Sequence, residues 1–330
     1  MVGKCITVQE SKGLFCLKAM AILSVIAAHT VSVSSDVPIN RFLTSLWVMY
    51  GHVGVISFFI LGGFFYRRKP KDSKKFWKKK TISLVIPWLF CSTLTFLLAA
   101  LMGRDMSLLQ WLKWIIGHGT WYYYISVYLF FLLVFKYVYD REVLLFASLL
   151  ITPVALAIKT LIPQANTSGV ITDSLNPLNW ISFFAMGIAI RKYELIKFLQ
   201  SLPVVLTAGV ITVLSGTFLY VRESFTYFHM VAMIFELSMF VILLRFSMWL
   251  ANFKLADAFE KVGKRTFCIY LLHMQIVQMI DTRLPAALLF EVSMPIIGVF
   301  VMMILTDVGI NICKLVPFGN HLRTIIGLRE

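Results

Sequence analysis

Long apolar runs alternate with short polar breaks along almost the whole chain, and this pattern predicts ten helices. They fall at about residues 13–34, 43–65, 81–102, 121–139, 143–163, 178–190, 203–221, 227–248, 266–284 and 292–316. Most of these runs hold roughly 20 residues, enough for a helix to cross ~30 Å of hydrocarbon. The expectation is an all-α membrane protein, a single embedded domain over residues 1–330. The sixth run is short, so it starts earlier or tilts. Residues 106–116 carry Trp111 and Trp114, which suit a helix lying flat at the outer interface. The first run is read as a retained span, because no convincing small-residue cleavage site accompanies it.

Composition agrees with that pattern. The chain is 59% hydrophobic and 14% charged, with a mean hydropathy of +0.83. Soluble domains carry about a quarter charged residues, so a soluble protein with a large core is excluded. The net charge of +15 would point to nucleic acid in a soluble protein. Here the cations lie in short loops, where topology and anionic lipid head groups account for them, and nucleic acid is not an expected partner. With the N-terminus inside, 25 of the 31 Lys and Arg fall on cytoplasmic segments, so both termini are expected in the cytoplasm. The strongest block is YRRKPKDSKKFWKKK, residues 66–80, with nine cations and one acid. It puts a cluster of positive charge at the cytoplasmic mouth, where a soluble polyanion can dock.

Other chemistries find no support in the residues. Cys5, Cys16, Cys91, Cys268 and Cys313 form no CxxC pair, and neither a disulfide framework nor a metal site is expected. Asn166-Thr167-Ser168 matches a glycosylation sequon. No P-loop, dinucleotide fingerprint, HExxH or GxSxG motif is present.

Ionisable groups inside the runs stand out, because each costs about 2.5–3.5 kcal/mol to insert. They are Lys18 and His29 in the first helix, His52 in the second, Glu236 in the eighth, His273 in the ninth and Asp307 in the tenth. Lys18 and His29 differ by only ~20° around a helix and by ~16 Å along it, so they share a face. Taken by spacing alone, Lys18 can snorkel to the head groups and His29 can simply hydrogen-bond within the bundle. Glu236 and Asp307 are candidates to pair with His or Lys neighbours. The paired glycines Gly62 and Gly63 allow another backbone to approach the second helix closely.

Five motifs in order complete the pattern: Lys18-x10-His29, SFFILGGFF over 57–65, the basic loop leading into Ile86-Pro87-Trp88, FFAMG over 183–187 and GKRTFCIYLLH over 263–273. Together they resemble acyltransferase family 3, integral membrane O-acyltransferases with ten core helices. The chain departs from the family pattern at three points. Ser83 stands where the family often has the second Arg of an RxxR pair, Gly62 replaces a common Ser, and Phe15 replaces a common Asp.

The resemblance implies transfer of an acyl group, commonly acetyl, from cytoplasmic acyl-CoA to a hydroxyl. The acceptor is usually a cell-envelope glycan or lipid-linked glycan, and the enzyme is expected in the plasma membrane or a bacterial inner membrane. It implies that His29 is catalytic and that Lys18 is its basic partner; His52, His273, Glu236 and Asp307 are supporting candidates by their cost of insertion. Arg67, Arg68, Lys78, Lys79 and Lys80 are the expected grip on the CoA phosphates. An imidazole titrates near neutral pH, so His29 can act as a general base on the acceptor hydroxyl. It can equally carry the acyl group covalently; the first route needs fewer assumptions. A transporter or flippase of a glycan or lipid intermediate is the competing reading. It would favour inverted repeats and broken helices, and neither is evident here. A sensor or assembly protein that keeps the fold without catalysis is the other.

Overall fold

Helices occupy each of the ten apolar runs in the computed structural model, which describes residues 7–31, 37–67, 73–101, 103, 107–162, 172–225, 227–281 and 288–328. The order is α1 (Val8–Thr30), α2 (Pro38–Phe64), α3 (Ser73–Lys80), a π-helical turn (Thr81–Val85), α4 (Ile86–Leu101), α5 (Leu108–Ile116), α6 (Tyr123–Val138) and α7 (Glu142–Leu161). A short 3-10 turn (Pro177–Asn179) follows. The chain then runs through α8 (Ile181–Lys192), α9 (Ile196–Leu199), α10 (Leu202–Val221), α11 (Met230–Leu250), α12 (Leu255–Asp281), α13 (Leu288–Leu315) and α14 (Gly319–Ile325). No strand occurs among the described residues. The sequon Asn166-Thr167-Ser168 and Arg68 lie outside them.

Seven helices among the described residues are long and apolar enough to cross a membrane: α1, α2, the continuous Lys74–Leu101 rod, α7, α10, α11 and α13. The other three predicted runs fall short for different reasons. With 16 and 12 residues, α6 and α8 are too brief. In contrast, α12 is long enough at 27 residues, but Lys261, Lys264 and Arg265 interrupt its apolar surface.

Helix ends move where capping and backbone bonding overrule hydropathy. The first helix starts near residue 8, not 13, because Thr7 and Glu10 form a capping box: the Glu10 N–H donates to Thr7 Oγ1 at 3.1 Å and the Thr7 N–H donates to the Glu10 carboxylate at 2.9 Å. It also stops at Thr30, short of residue 34. The ninth run begins at Leu255, not 266. The charged stretch before the predicted run is helical as well, packed against α1. Residues 106–116 are helical from Leu108, with Ser107 as N-cap. Its indoles turn inward, Trp111 Nε1–H donating to Thr93 at 3.2 Å and Trp114 Nε1–H to Thr95 at 3.1 Å.

The centre of the bundle is α1, which packs against α2, α11, α12 and α13. The outer helices show the reverse pattern: on α10, Val213 and Leu214 are 66% and 67% exposed, and Phe300 on α13 is 66% exposed. Apolar area of this extent on several helices is unfavourable in water at about 25 cal/mol per Å² and suits lipid. The protein is a multi-pass membrane protein.

Two of the quoted motifs meet where α2 crosses α8. A Cβ on Gly63 would lie 1.9 Å from the Phe184 carbonyl oxygen, and one on Gly187 would lie 1.9 Å from that of Ile60. The helices therefore touch through backbone, which only glycine permits.

Candidate functional site

The parallel pair α1 and α12 builds most of the site. Lys12 pairs with Asp257 at 2.7 Å near one end. A Cβ on Gly263 would strike the Phe15 carbonyl oxygen, and His29 meets His273 further along. Successive contacts advance together along both chains, so the helices run side by side in one direction.

Near the basic end lies a cavity of about 380 Å³. Three ammonium groups border it: Lys18 from α1, Lys80 from the end of α3 and Lys264 from α12. Lys18 sits over the Phe15 and Phe65 rings, at 5.1 and 4.8 Å from their centroids. Lys80 Nζ donates to Tyr128 Oη at 3.5 Å. Lys264 pairs with Glu260 at 2.9 Å on its own helix. Like charges gathered in one cavity repel, so the arrangement favours an anion between them.

The π turn shapes this wall. Pro87 has no N–H to offer the Ser83 carbonyl, and the Ile86 N–H instead bonds the Thr81 carbonyl, five residues back. The wider turn joins α3 to α4 without a break, and Lys80, Ser83 and Leu84 all line the cavity. Ser83, the residue in place of a second Arg, therefore borders the expected donor region, with Lys264 supplying a third cation from another helix.

Tyr124, Tyr128 and Tyr270 line the cavity together with Phe58, Phe65 and Phe267, and Tyr270 packs toward the histidines. Its ring centroid lies 5.8 Å from that of His273. The His29 and His273 rings are 5.3 Å apart at an interplanar angle of 43°. His29 is exposed, whereas His273 has no accessible surface. His273 Nδ1 lies 2.7 Å from the Tyr270 carbonyl oxygen. A carbonyl only accepts, so Nδ1 carries the proton and Nε2 the lone pair. Among the described residues that Nε2 has no hydrogen bond, an omission that costs about 1–3 kcal/mol for a buried acceptor.

Two phenols hold this part of α12 against the start of α6. Tyr270 Oη–H donates to the Trp121 carbonyl, and Tyr122 Oη–H donates to the Leu271 carbonyl at 3.0 Å. Trp121 in turn stands edge-on to His273, with centroids 6.1 Å apart. Neither Tyr122 nor Tyr270 was singled out from the sequence, and an aromatic run such as 121–124 reads as core by pattern alone.

His52 and Glu236 come together elsewhere in the core. Nδ1 and Oε1 are 3.9 Å apart, both side chains are buried, and among the described residues neither atom has a hydrogen bond. The Tyr227 ring stacks on His52 at 4.0 Å. Asp307 differs from its expected setting: its side chain is 45% exposed and it pairs with Arg265 at 2.6 Å and Lys261 at 3.2 Å. It ties α13 to α12 rather than lying in the core. Arg67, Lys78 and Lys79 are exposed and do not line the cavity, so of the described basic-loop candidates Lys80 alone reaches it. A smaller cavity of about 180 Å³, lined by Phe96, Gln110, Lys113, Trp114 and His118, lies between α4 and α5.

The fold thus brings together a cationic cavity, an aromatic lining and, packed against Tyr270 of that lining, a histidine pair. No curated protein and no solved structure matches the chain. A family model described as an acyltransferase domain matches residues 12–310, which include every one of the cavity's lysines and both facing histidines. On that match the chain belongs to acyltransferase family 3 and is a membrane acyltransferase.

Proposed function

We propose that the protein moves an acyl group, acetyl in the simplest case, from cytoplasmic acyl-CoA to a hydroxyl of a cell-envelope glycan or lipid-linked glycan. The observation that carries this reading is a three-lysine cavity whose wall residue Tyr270 packs against His273, which in turn faces His29. CoA is a polyanion on a long thin arm. Lys18, Lys80 and Lys264 match its phosphates in charge, with exposed Lys78, Lys79 and Arg67 attracting it from outside. Along α1 the ~16 Å from Lys18 to His29 suits an extended arm that carries the thioester to the imidazole.

In the reaction, an imidazole nitrogen of His29 takes the proton of the acceptor hydroxyl. The oxygen attacks the thioester carbonyl carbon, the carbon–sulfur bond breaks, and the thiolate takes the proton back as free CoA. The exposure of His29 favours this general-base route, because a second substrate has room to approach the ring. The reading includes ten crossings, with α6, α8 and α12 completing the seven apolar spans, and cytoplasmic termini, so that the lysine cavity opens to the cytoplasm. The membrane is the plasma membrane or a bacterial inner membrane.

The test compares cells carrying the wild type with cells carrying His29→Ala. Mass spectrometry of envelope glycans should find an added acetyl mass with the wild type alone. Unchanged acetylation with the variant, at equal amounts in the membrane, would overturn the reading.

A further inference from the structure

The base proposed at His29 faces a difficulty that general-base catalysis on a histidine always meets. A neutral imidazole has one N–H and one lone pair, and only one tautomer aims the lone pair at the substrate. Something must hold the N–H on the other nitrogen. In this structure the ring nearest to His29 is His273, and its own tautomer is already decided by the Tyr270 carbonyl, which occupies Nδ1. What remains is a fully buried acceptor, Nε2, with no hydrogen bond among the described residues. A lone acceptor beside a ring that needs a place for its N–H is a complementary pair.

We infer that His273 is a positioning residue: its Nε2 accepts the N–H of His29, fixing the His29 tautomer and leaving the far nitrogen of His29 as the base. The chain of donors runs from His29 N–H to His273 Nε2, and from His273 Nδ1–H to the Tyr270 carbonyl. A small turn of the exposed His29 ring closes the first link, since the centroids already lie 5.3 Å apart. Once His29 has taken the acceptor's proton, the same bond becomes charge-assisted and steadies the imidazolium until the thiolate recovers that proton. His273 is suited to this role because the Tyr270 and Tyr122 hydroxyls hold its stretch of helix against the start of α6. The inference rests on the acyl-transfer reading above.

The side-chain lengths of two amides supply a test. Gln carries its terminal group to about the reach of Nε2, whereas Asn ends near Nδ1. Purified protein in lipid nanodiscs is assayed for CoA release from acetyl-CoA, with an envelope-glycan extract as acceptor. His273→Leu should lower kcat on the order of 100-fold while the KM for acetyl-CoA stays within about twofold. His273→Gln should recover about tenfold over His273→Leu, and His273→Asn should not. Thermal midpoints with and without CoA show whether each variant is folded and binds donor. If His273→Leu does not fold, the Gln and Asn variants decide alone: equal kcat values overturn the inference. Wild-type kcat in His273→Leu also overturns it. Should His29→Ala remain active, the reading of His29 falls; an inactive His29→Ala beside an active His273→Leu removes the tautomer lock only.

Discussion

His29 and His273, near opposite ends of the chain, face each other with ring centroids 5.3 Å apart. The contact exists because α1 and α12 run in parallel from the basic end, with a close backbone approach at Gly263 to hold them together. One helix brings an exposed imidazole and the other a buried one, so the two residues have different surroundings despite identical side chains.

On the proposed function, the lysine cavity separates the cations that would hold the donor from those that merely surround it. Replacing Lys18, Lys80 or Lys264 with Gln should raise the KM for acetyl-CoA about tenfold each, the equivalent of one charge-assisted hydrogen bond. Replacing exposed Lys79 should change KM by less than about twofold. Steady-state kinetics at two salt concentrations check this, since added salt should weaken donor binding in the wild type more than in a cavity variant.

The His52–Glu236 pair makes a prediction about stability. Two buried polar groups facing each other are worse left half-removed than removed together. Glu236→Leu alone should cost about 1–3 kcal/mol, because His52 loses the carboxyl group that faces it in the core. His52→Leu with Glu236→Leu should recover much of that loss. A double-mutant cycle of thermal midpoints measures the coupling.

At the α2–α8 crossing, Gly63→Val should prevent proper packing, because its Cβ would overlap the Phe184 carbonyl oxygen at 1.9 Å. The expected cost is on the order of 3 kcal/mol or more, visible as lost monodisperse protein after solubilisation. Gly209→Ala on α10 is the control. A Cβ there meets nothing within 4 Å, and the variant should purify like the wild type.

Topology follows from the charge distribution and is open to labelling. A cysteine at exposed Lys79 should react with a membrane-impermeant thiol reagent only after the inner side is made accessible. A cysteine at exposed His118 should react in intact cells. The opposite pattern would turn the lysine cavity away from the cytoplasm and from its acyl-CoA.

Much of the site could be read before folding, and the pieces that could not have a common cause. Lys18 and His29 share a helical face by spacing alone; Lys18 lines the cavity that Lys264 of α12 also borders, and His29 faces His273 of α12. The GKRTFCIYLLH stretch was conspicuous, yet the role of Lys264 in the cavity was not, since a lysine near a helix end looks like any head-group anchor. Lys78 and Lys79 stand out through local charge density, but a short helix points its side chains around a full circle, and of the described basic-loop candidates Lys80 lines the cavity while Lys78, Lys79 and, before the helix, Arg67 are exposed. Asp307 stands in an apolar run as a candidate to pair with a His or Lys neighbour; which one is decided by the fold, which puts Lys261 and also Arg265, both distant in sequence, beside it in a partly exposed ion pair.

The residues by themselves determined that this chain lives in lipid as helices: unpaired backbone groups cannot persist in hydrocarbon, so long apolar runs leave little other choice. They also determined which polar side chains were too costly to insert without a partner. Tertiary structure decided which partner each one met. That outcome depends on helix order, rotation and close approach at a few glycines, none of which is encoded in the periodicity of any single helix. The facing of His29 and His273 is the clearest case, a contact made only when the first helix and the twelfth come to lie side by side.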